Sequence, residues 1–437
     1  MSARTVLLML VFVVAVGTGG GARAQGTAPV QLTLQDAEAL ALKNHPQVLA
    51  AHATVLEYNQ LVVETRSAYF PTLDGELTGS GANPRGRIGA GFLAPSSLFD
   101  RLGTGISLSQ LITDSGRTPN LVASSRLQAK ASEQTYEATR YDVLLAVNQA
   151  YFNALRAQAL VKVAEETVAA RQLLADQVSA LEKNKLRSLV DVAFADVNLS
   201  EAKLLLLRAQ DQVRAAFAEL TRALGAQQEM NYKLVDEPLP PSPPSDPDSL
   251  IAQAFSNRPD LLSMQFQRDA AVKFQRAERD LSFPTVSLVG VAGAIPDINQ
   301  ILSTKIPNNY EGAALNVEVP IFNGHLFAAR REAARYHAQA EDQRVRDLQE
   351  RIARDVRVAW SSSKTAFQNL DVTAELLREA TLALDLAQGR YNLGLSSIVE
   401  LSQAQLNLTE AEIENLSAKY DYQSVYAMLQ YTMGLLR

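Results

Sequence analysis

From Asn120 to Leu224 the chain contains neither glycine nor proline, and the same holds from His325 to Gln388. These are the residues that most readily end a helix, and a globular helix averages about three turns. Uninterrupted runs of this length therefore predict a coiled coil or an extended bundle. Val192, Leu199, Leu206, Val213 and Leu220 fall seven apart, and three residues after each comes Ala195, Ala202, Ala209, Ala216 and Ala223. Leu401 and Leu408, with Ala404, Ala411 and Ala418, repeat the scheme. A seven-residue repeat imposes a left-handed supercoil, and alanine at every second core position lets helix axes approach closely. The 105 residues of the first run would reach ~160 Å as one helix, so it must fold back. Glu182–Ser188 and Tyr391–Ser397 are polar or glycine-bearing and mark the turns, which predicts arms of about 65 residues, or roughly 100 Å.

The two runs belong to a tandem duplication. "NHP" with Pro46 precedes "FPT" with Pro71, and "NRP" with Pro259 precedes "FPT" with Pro284, both at an offset of 213. Beyond the second motif the offset shortens: Gly116 of "TDSGR" matches Gly324 of "IFNGH", and "SLVDVAFADVNLSEA" matches "SIVELSQAQLNLTEA" at 209. Repetition on this scale points to a unit stacked or closed about an axis. Between the halves, six prolines from Pro238 to Pro247 forbid a helix and favour extended geometry, so this segment is read as a connector. The expected division is a leader over 1–24, a first repeat over 25–230, a linker over 231–250 and a second repeat over 251–437. In each half a short helical part, with Thr33/Asp36 or Asp246/Asp248 as candidate starts, breaks at Pro46 or Pro259.

"FPT" ends that helical part twice, because proline cannot donate within a helix and restrains the residue before it. After each "FPT" the residues alternate between apolar and polar. Leu73, Gly75 and Leu77 share one face, with Asp74, Glu76 and Thr78 on the other. Ile106 and Leu108 oppose Ser107 and Ser109, while Leu315, Val317, Val319 and Ile321 oppose Asn316 and Glu318. Strands are expected at about 70–82, 103–114, 283–294 and 312–322, the length of a tilted membrane-spanning strand, each pair joined by a long loop. Four strands cannot close a barrel, and open edges cannot face lipid, so strands in a membrane must be pooled among copies. A soluble four-stranded sheet packed on the helices satisfies the same alternation.

The remaining composition narrows the class. Arg4, an apolar run from Thr5 to Val16 and Ala22-Arg23-Ala24 read as a secretory leader, too short for a retained span. No cysteine exists, which closes both disulfides and the acylated cysteine of a lipoprotein. No later stretch approaches the length of a transmembrane helix. Without the leader's two arginines, 39 bases face 47 acids, and the absence of a basic cluster argues against nucleic acid. His45 and His52 are separated by the break at Pro46, and His325 and His337 lack neighbouring ligands, so no metal site is assigned. "GRIGAGF" falls in a strand-to-strand loop with no helix behind it, unlike a phosphate cradle. No catalytic residue and no cofactor is expected.

The duplicated "NHP…FPT" and "NRP…FPT", "VPIFNG" from Val319 to Gly324, and "YNLGLSSIVELSQAQLNLTEAE" from Tyr391 to Glu412 resemble the TolC-like outer-membrane efflux proteins. The resemblance spans essentially the whole chain after the leader. It implies a mainly α fold, a long helical coiled-coil barrel, with four strands per chain completing a 12-stranded barrel in a homotrimer. It further implies an outer-membrane channel-tunnel reaching into the periplasm. An inner-membrane pump or ABC exporter and a periplasmic adaptor dock at the helical tip. Carried over position by position, the channel gate is Glu400, Gln403 and Tyr391, with Asp191 as the match of Glu400 in the first half. Gln403 stands where the family more often has a second acid, which weakens the negative constriction. The adaptor-contact tip is Leu393, Gly394 and Leu395, with Lys185, Leu186 and Arg187 as the mates that lack the glycine. Glu400, Gln403, Asn407, Glu410, Glu414, Ser417 and Asp421 step by three and four, forming one polar stripe that faces either a lumen or bulk solvent. The alternative from another class is a periplasmic trimeric coiled-coil scaffold whose strands form a small soluble sheet.

Overall fold

A computed structural model of the chain describes residues 30–80, 87–88, 96–97, 101–226, 232–295 and 309–436. The expected leader and most of "GRIGAGF" lie outside these residues. The first half comprises β1 (Val30–Leu32), α1 (Leu34–Asn44), α2 (Pro46–Ser67), β2 (Thr72–Ser80), β3 (Arg87–Ile88), β4 (Ser96–Ser97), β5 (Arg101–Thr113), α3 (Arg117–Lys183), α4 (Leu189–Ala223) and β6 (Tyr232–Leu234). The second comprises α5 (Pro247–Asn257), α6 (Pro259–Asp280), β7 (Thr285–Ala294), β8 (Asn309–Glu318), α7 (Leu326–Asn392) and α8 (Ile398–Thr432). The duplication is metrically strict. α1 and α5 have 11 residues each, α2 and α6 have 22, α3 and α7 have 67, and α4 and α8 have 35.

The return arms are thus shorter than expected, 35 residues against 67. The long helices fold back at 184–188 and 393–397, where the sequence placed the turns, but α4 and α8 cover only the lower half of α3 and α7. Beside the upper half lie α2 and α6. The reason is at the far end of each return helix. α4 ends at Gly225 with φ +68°, and α8 ends at Gly434 with φ +70°. A Cβ at Gly225 would stand 2.7 Å from the His45 Cα, and one at Gly434 would stand 2.9 Å from the Asn257 carbonyl carbon. Each glycine therefore packs against the break between the two short helices, where Pro46 or Pro259 starts the second one. The repeated glycine and the repeated proline are two sides of one contact. The alanine seam behaves as the heptads require: Ala195, Ala202, Ala209, Ala216 and Ala223 are buried, as are Ala404, Ala411 and Ala418.

The connector is tied down by carbonyl acceptors. β6 pairs in parallel with β1, so a strand occupies the start of the expected linker, and α5 begins inside its end. The single Tyr151 hydroxyl proton lies between the carbonyls of Leu32 (2.8 Å) and Val235 (2.7 Å), and the oxygen accepts from the Val235 N–H at 3.2 Å. Its repeat mate Trp360 donates Nε1–H to the Pro244 carbonyl at 2.7 Å. The prolines of this segment offer acceptors without an N–H, and aromatic donors from α3 and α7 reach carbonyls at its two ends.

The four long strands form one antiparallel sheet in the order β2-β5-β7-β8. Two hairpins, one from each half, join through β5 and β7. β8 runs from Asn309 to Glu318, not to 322, because Pro320 lacks the N–H the ladder needs; Val319 and Ile321 fall outside it. The pairing register sorts the faces. Leu73, Leu77, Ile106, Leu108, Leu288, Leu315 and Val317 share one, and Asp74, Glu76, Ser107, Ser109, Ser287, Asn316 and Glu318 share the other.

The Gly225 contact gives a direct test. Gly225→Ala forces a left-handed conformation and a backbone clash, so it should destabilise the fold by about 2–3 kcal/mol. Gly389→Ala, inside α7 with nothing within 4 Å of the new methyl, should stabilise by about 0.5–1 kcal/mol. Thermal unfolding followed by circular dichroism separates the two.

Candidate functional site

The expected gate and tip residues come together at the lower end of the molecule, where both hairpins turn. Residues of α3, α4, α7 and α8 pack there around Leu174, Val178, Ala195, Tyr391, Ile398 and Leu401. The two turns have the same backbone. Gly394 has φ +74°, and Lys185, at the matching position, has φ +61°. The lysine turn therefore reproduces the glycine turn at the cost of a strained left-handed residue. Leu186, Leu393 and Leu395 project into solvent together with Leu189, leaving an apolar tip.

Each return helix opens on a serine cap. Ser188 Oγ accepts from the Asp191 N–H (3.2 Å), and Asp191 Oδ2 accepts from the Ser188 N–H (3.0 Å) and hydroxyl (3.1 Å), which completes a capping box. Ser397 Oγ likewise accepts from the Glu400 N–H at 3.4 Å. The Glu400 carboxylate does not return to its cap; it pairs with Arg390 Nε at 3.0 Å. The duplicated acid thus has two different occupations. Asp191 is held by the helix start, and Glu400 faces solvent in an exposed ion pair worth at most ~1 kcal/mol.

Tyr391 is 3% exposed, on the last turn of α7. The Arg187 guanidinium lies over its ring, 4.1 Å from the centroid, and donates to the Tyr391 carbonyl at 3.0 Å. Arg187, expected as a tip contact, is therefore half-buried and clamps one hairpin to the other. Burial pushes the Tyr391 phenol above its ordinary value; Arg187 opposes this and Asp191 adds to it. Among the described residues, its hydroxyl has no hydrogen-bond partner.

Gln403 is exposed and donates to Asn407 at 2.8 Å. With Glu400, Glu410, Glu414 and Asp421 it keeps the polar stripe in solvent along α8, and only Ser417 is half-buried. At the upper end Asp421 pairs with Arg156 of α3 at 2.9 Å. Sequence reasoning missed a polar layer above the tip. Arg171 of α3 is buried and donates to Gln405 of α8, and Asn198 of α4 donates to Ser402 of α8 at 2.7 Å. Burial lowers the Arg171 value, with Glu201 opposing. The readable signal was a divergence between the halves, since the mate of Arg171 is Ala380.

Three comparisons bear on these features. The family model "Outer membrane efflux protein" matches residues 39–226 and 250–435. The outer membrane efflux protein BepC of Brucella suis is 25% identical over 411 residues, covering 93% of this chain and 86% of its own length. The outer membrane protein TolC of Vibrio cholerae is 23% identical over 401 residues, covering 91% and 89%. A crystal structure of CusC, in a study of transmembrane channel formation, superposes with a TM-score of 0.80 at 20% identity, covering 92% of each chain.

The turn at Lys185 yields a prediction. Lys185→Gly should stabilise the protein by about 1 kcal/mol by removing left-handed strain, and Gly394→Lys should cost about as much. Equilibrium denaturation of the two variants checks the sign.

Proposed function

The chain belongs to the outer membrane efflux protein family, and we propose that three copies of it form a channel-tunnel that carries solutes outward across that membrane. The observation that carries the reading is the four-stranded sheet. One face is mainly apolar and uncovered, with Leu73 65%, Leu77 76% and Leu315 65% exposed and Glu311 at its outer end, and the other carries Asp74, Glu76, Ser107, Ser109, Ser287, Asn316 and Glu318 with Leu111, Val289 and Val291 among them. Lipid on the first face and a water-filled lumen on the second satisfy both. Tyr69, Phe70, Phe283 and Phe322, exposed where strands meet helices, fit an aromatic girdle at the membrane boundary. A soluble scaffold would leave the whole apolar face in water.

Among the described residues, both edges of the sheet, β2 and β8, are free. Two copies would supply eight strands, a barrel whose interior side chains just fill. Three supply twelve and leave a passage. Edge helices carry matching unpartnered apolar stripes, Leu49, Leu56 and Val63 on α2 and Val190, Val197 and Leu204 on α4, which support contact between copies. The apolar tip around Leu186, Leu393 and Leu395 supports docking of a periplasmic adaptor. An inner-membrane pump or ABC exporter would supply the energy, since the channel itself breaks no bond.

In this reading the polar stripe of α8 lines the tunnel, and the gate lies at Glu400, Gln403, Asp191 and Tyr391. Three acidic side chains around a narrow axis repel one another and attract cations. Glu400→Gln combined with Asp191→Asn should increase single-channel conductance in planar bilayers. Unchanged conductance removes these acids from the gate. Electrophoresis before and after boiling tests the barrel itself: a heat-modifiable band in the outer-membrane fraction is expected, and a water-soluble monomer overturns the channel.

A further inference from the structure

The register puts Glu76, Gly105, Gly293 and Tyr310 in one row across β2, β5, β7 and β8, on the polar face of the sheet. The Tyr310 side chain lies along that row. Its hydroxyl occupies the space that a Cβ at either glycine would need, so the glycines form a trough in which the ring lies flat. The hydroxyl ends beside Gly105, one strand short of Glu76, whose Cβ stands about 5 Å further across the sheet. Asp74, in the adjoining row with Ser107, Val291 and Gly312, adds a second carboxylate about 7 Å along the strand. Among the described side chains of this face there is no base. The pairing continues outward to Arg101 opposite Ser80, ~13 Å along β5 from the glycine row. Tyr310 keeps 41% of its surface exposed, so its upper ring face is open to solute.

An aromatic face flanked by unpaired carboxylates attracts an organic cation by its quadrupole and by charge together. We infer that the Tyr310–Glu76 row is a binding subsite for aromatic or quaternary organic cations on the inner wall of the barrel. Tyr310 is the second residue of β8, next to the strand-joining segment and far from the helices, so the subsite lies toward the external mouth. It rests on the channel reading above and adds to it a preference exerted at the exit, distant from Glu400 and the tip.

The test is block of the reconstituted full-length channel by benzyltrimethylammonium added on the external side at low salt. Concentration-dependent block is expected for the native channel. Tyr310→Leu, which leaves the trough intact, and Glu76→Gln, which leaves packing intact, should each weaken block about five-fold while potassium conductance persists. Tyr310→Phe, which keeps the ring, should retain most of it. A native channel that conducts without block, or block of equal strength in Tyr310→Leu and Glu76→Gln, overturns the subsite and leaves the channel standing. Native protein that forms no conducting pore overturns the channel reading and this inference with it.

Discussion

Everything in this molecule is arranged around two strand edges that the chain cannot pair for itself. β2 and β8 bound the sheet, and among the described residues the backbone groups along their outer sides have no strand partner. In hydrocarbon each such group costs several kcal/mol, so an isolated protomer cannot hold its apolar face in lipid. The sheet is antiparallel throughout, with four strands, so β2 and β8 run in opposite directions. A β8 laid beside the β2 of another copy therefore continues the same alternation. The ladder therefore permits closure by identical chains, provided the helices below allow it.

That requirement explains why the duplication is so strict in length. Paired helices of 11, 22, 67 and 35 residues deliver both hairpins to the membrane at one height. Adding one residue to α6 but not α2 would raise one hairpin by ~1.5 Å and rotate it by about 100°. The four residues by which the halves differ, an offset of 213 falling to 209, lie between Pro71 and the helix start at Gly116, or Pro284 and the helix start at His325, beyond the helices. Length is free to vary only where no register depends on it.

The helical design was legible because it is written periodically. The alanine seam, the turns at 184–188 and 393–397, and the breaks at Pro46 and Pro259 all follow from spacing or from glycine and proline chemistry. The return-arm length was not legible from the absence of breakers. It depends on Gly225 meeting His45, a contact between residues 180 apart in sequence. The strand faces were readable from alternation, but alternation continues through Val319 and Ile321, and only Pro320 stops the ladder. At the tip, residue type marked Asp191 and Glu400 as equivalent. Their separation into a cap and an exposed ion pair depends on where Arg390 lies, which no local pattern encodes.

Several positions at which the two halves diverge lie near that tip. Arg187 faces Ser396 across the repeat, Lys185 faces Gly394, Arg171 faces Ala380 and Asp191 faces Glu400. Higher in the molecule the halves keep equivalent contacts, as with Gly225 and Gly434 or Tyr151 and Trp360. Equivalence is what a closed wall demands, because every repeat then presents the same packing surface to its neighbours. Divergence has the opposite effect. The Arg187 clamp on Tyr391 holds the first hairpin to the second, and among the described residues the Ser396 hydroxyl has no partner that returns it, so the two hairpins are not interchangeable.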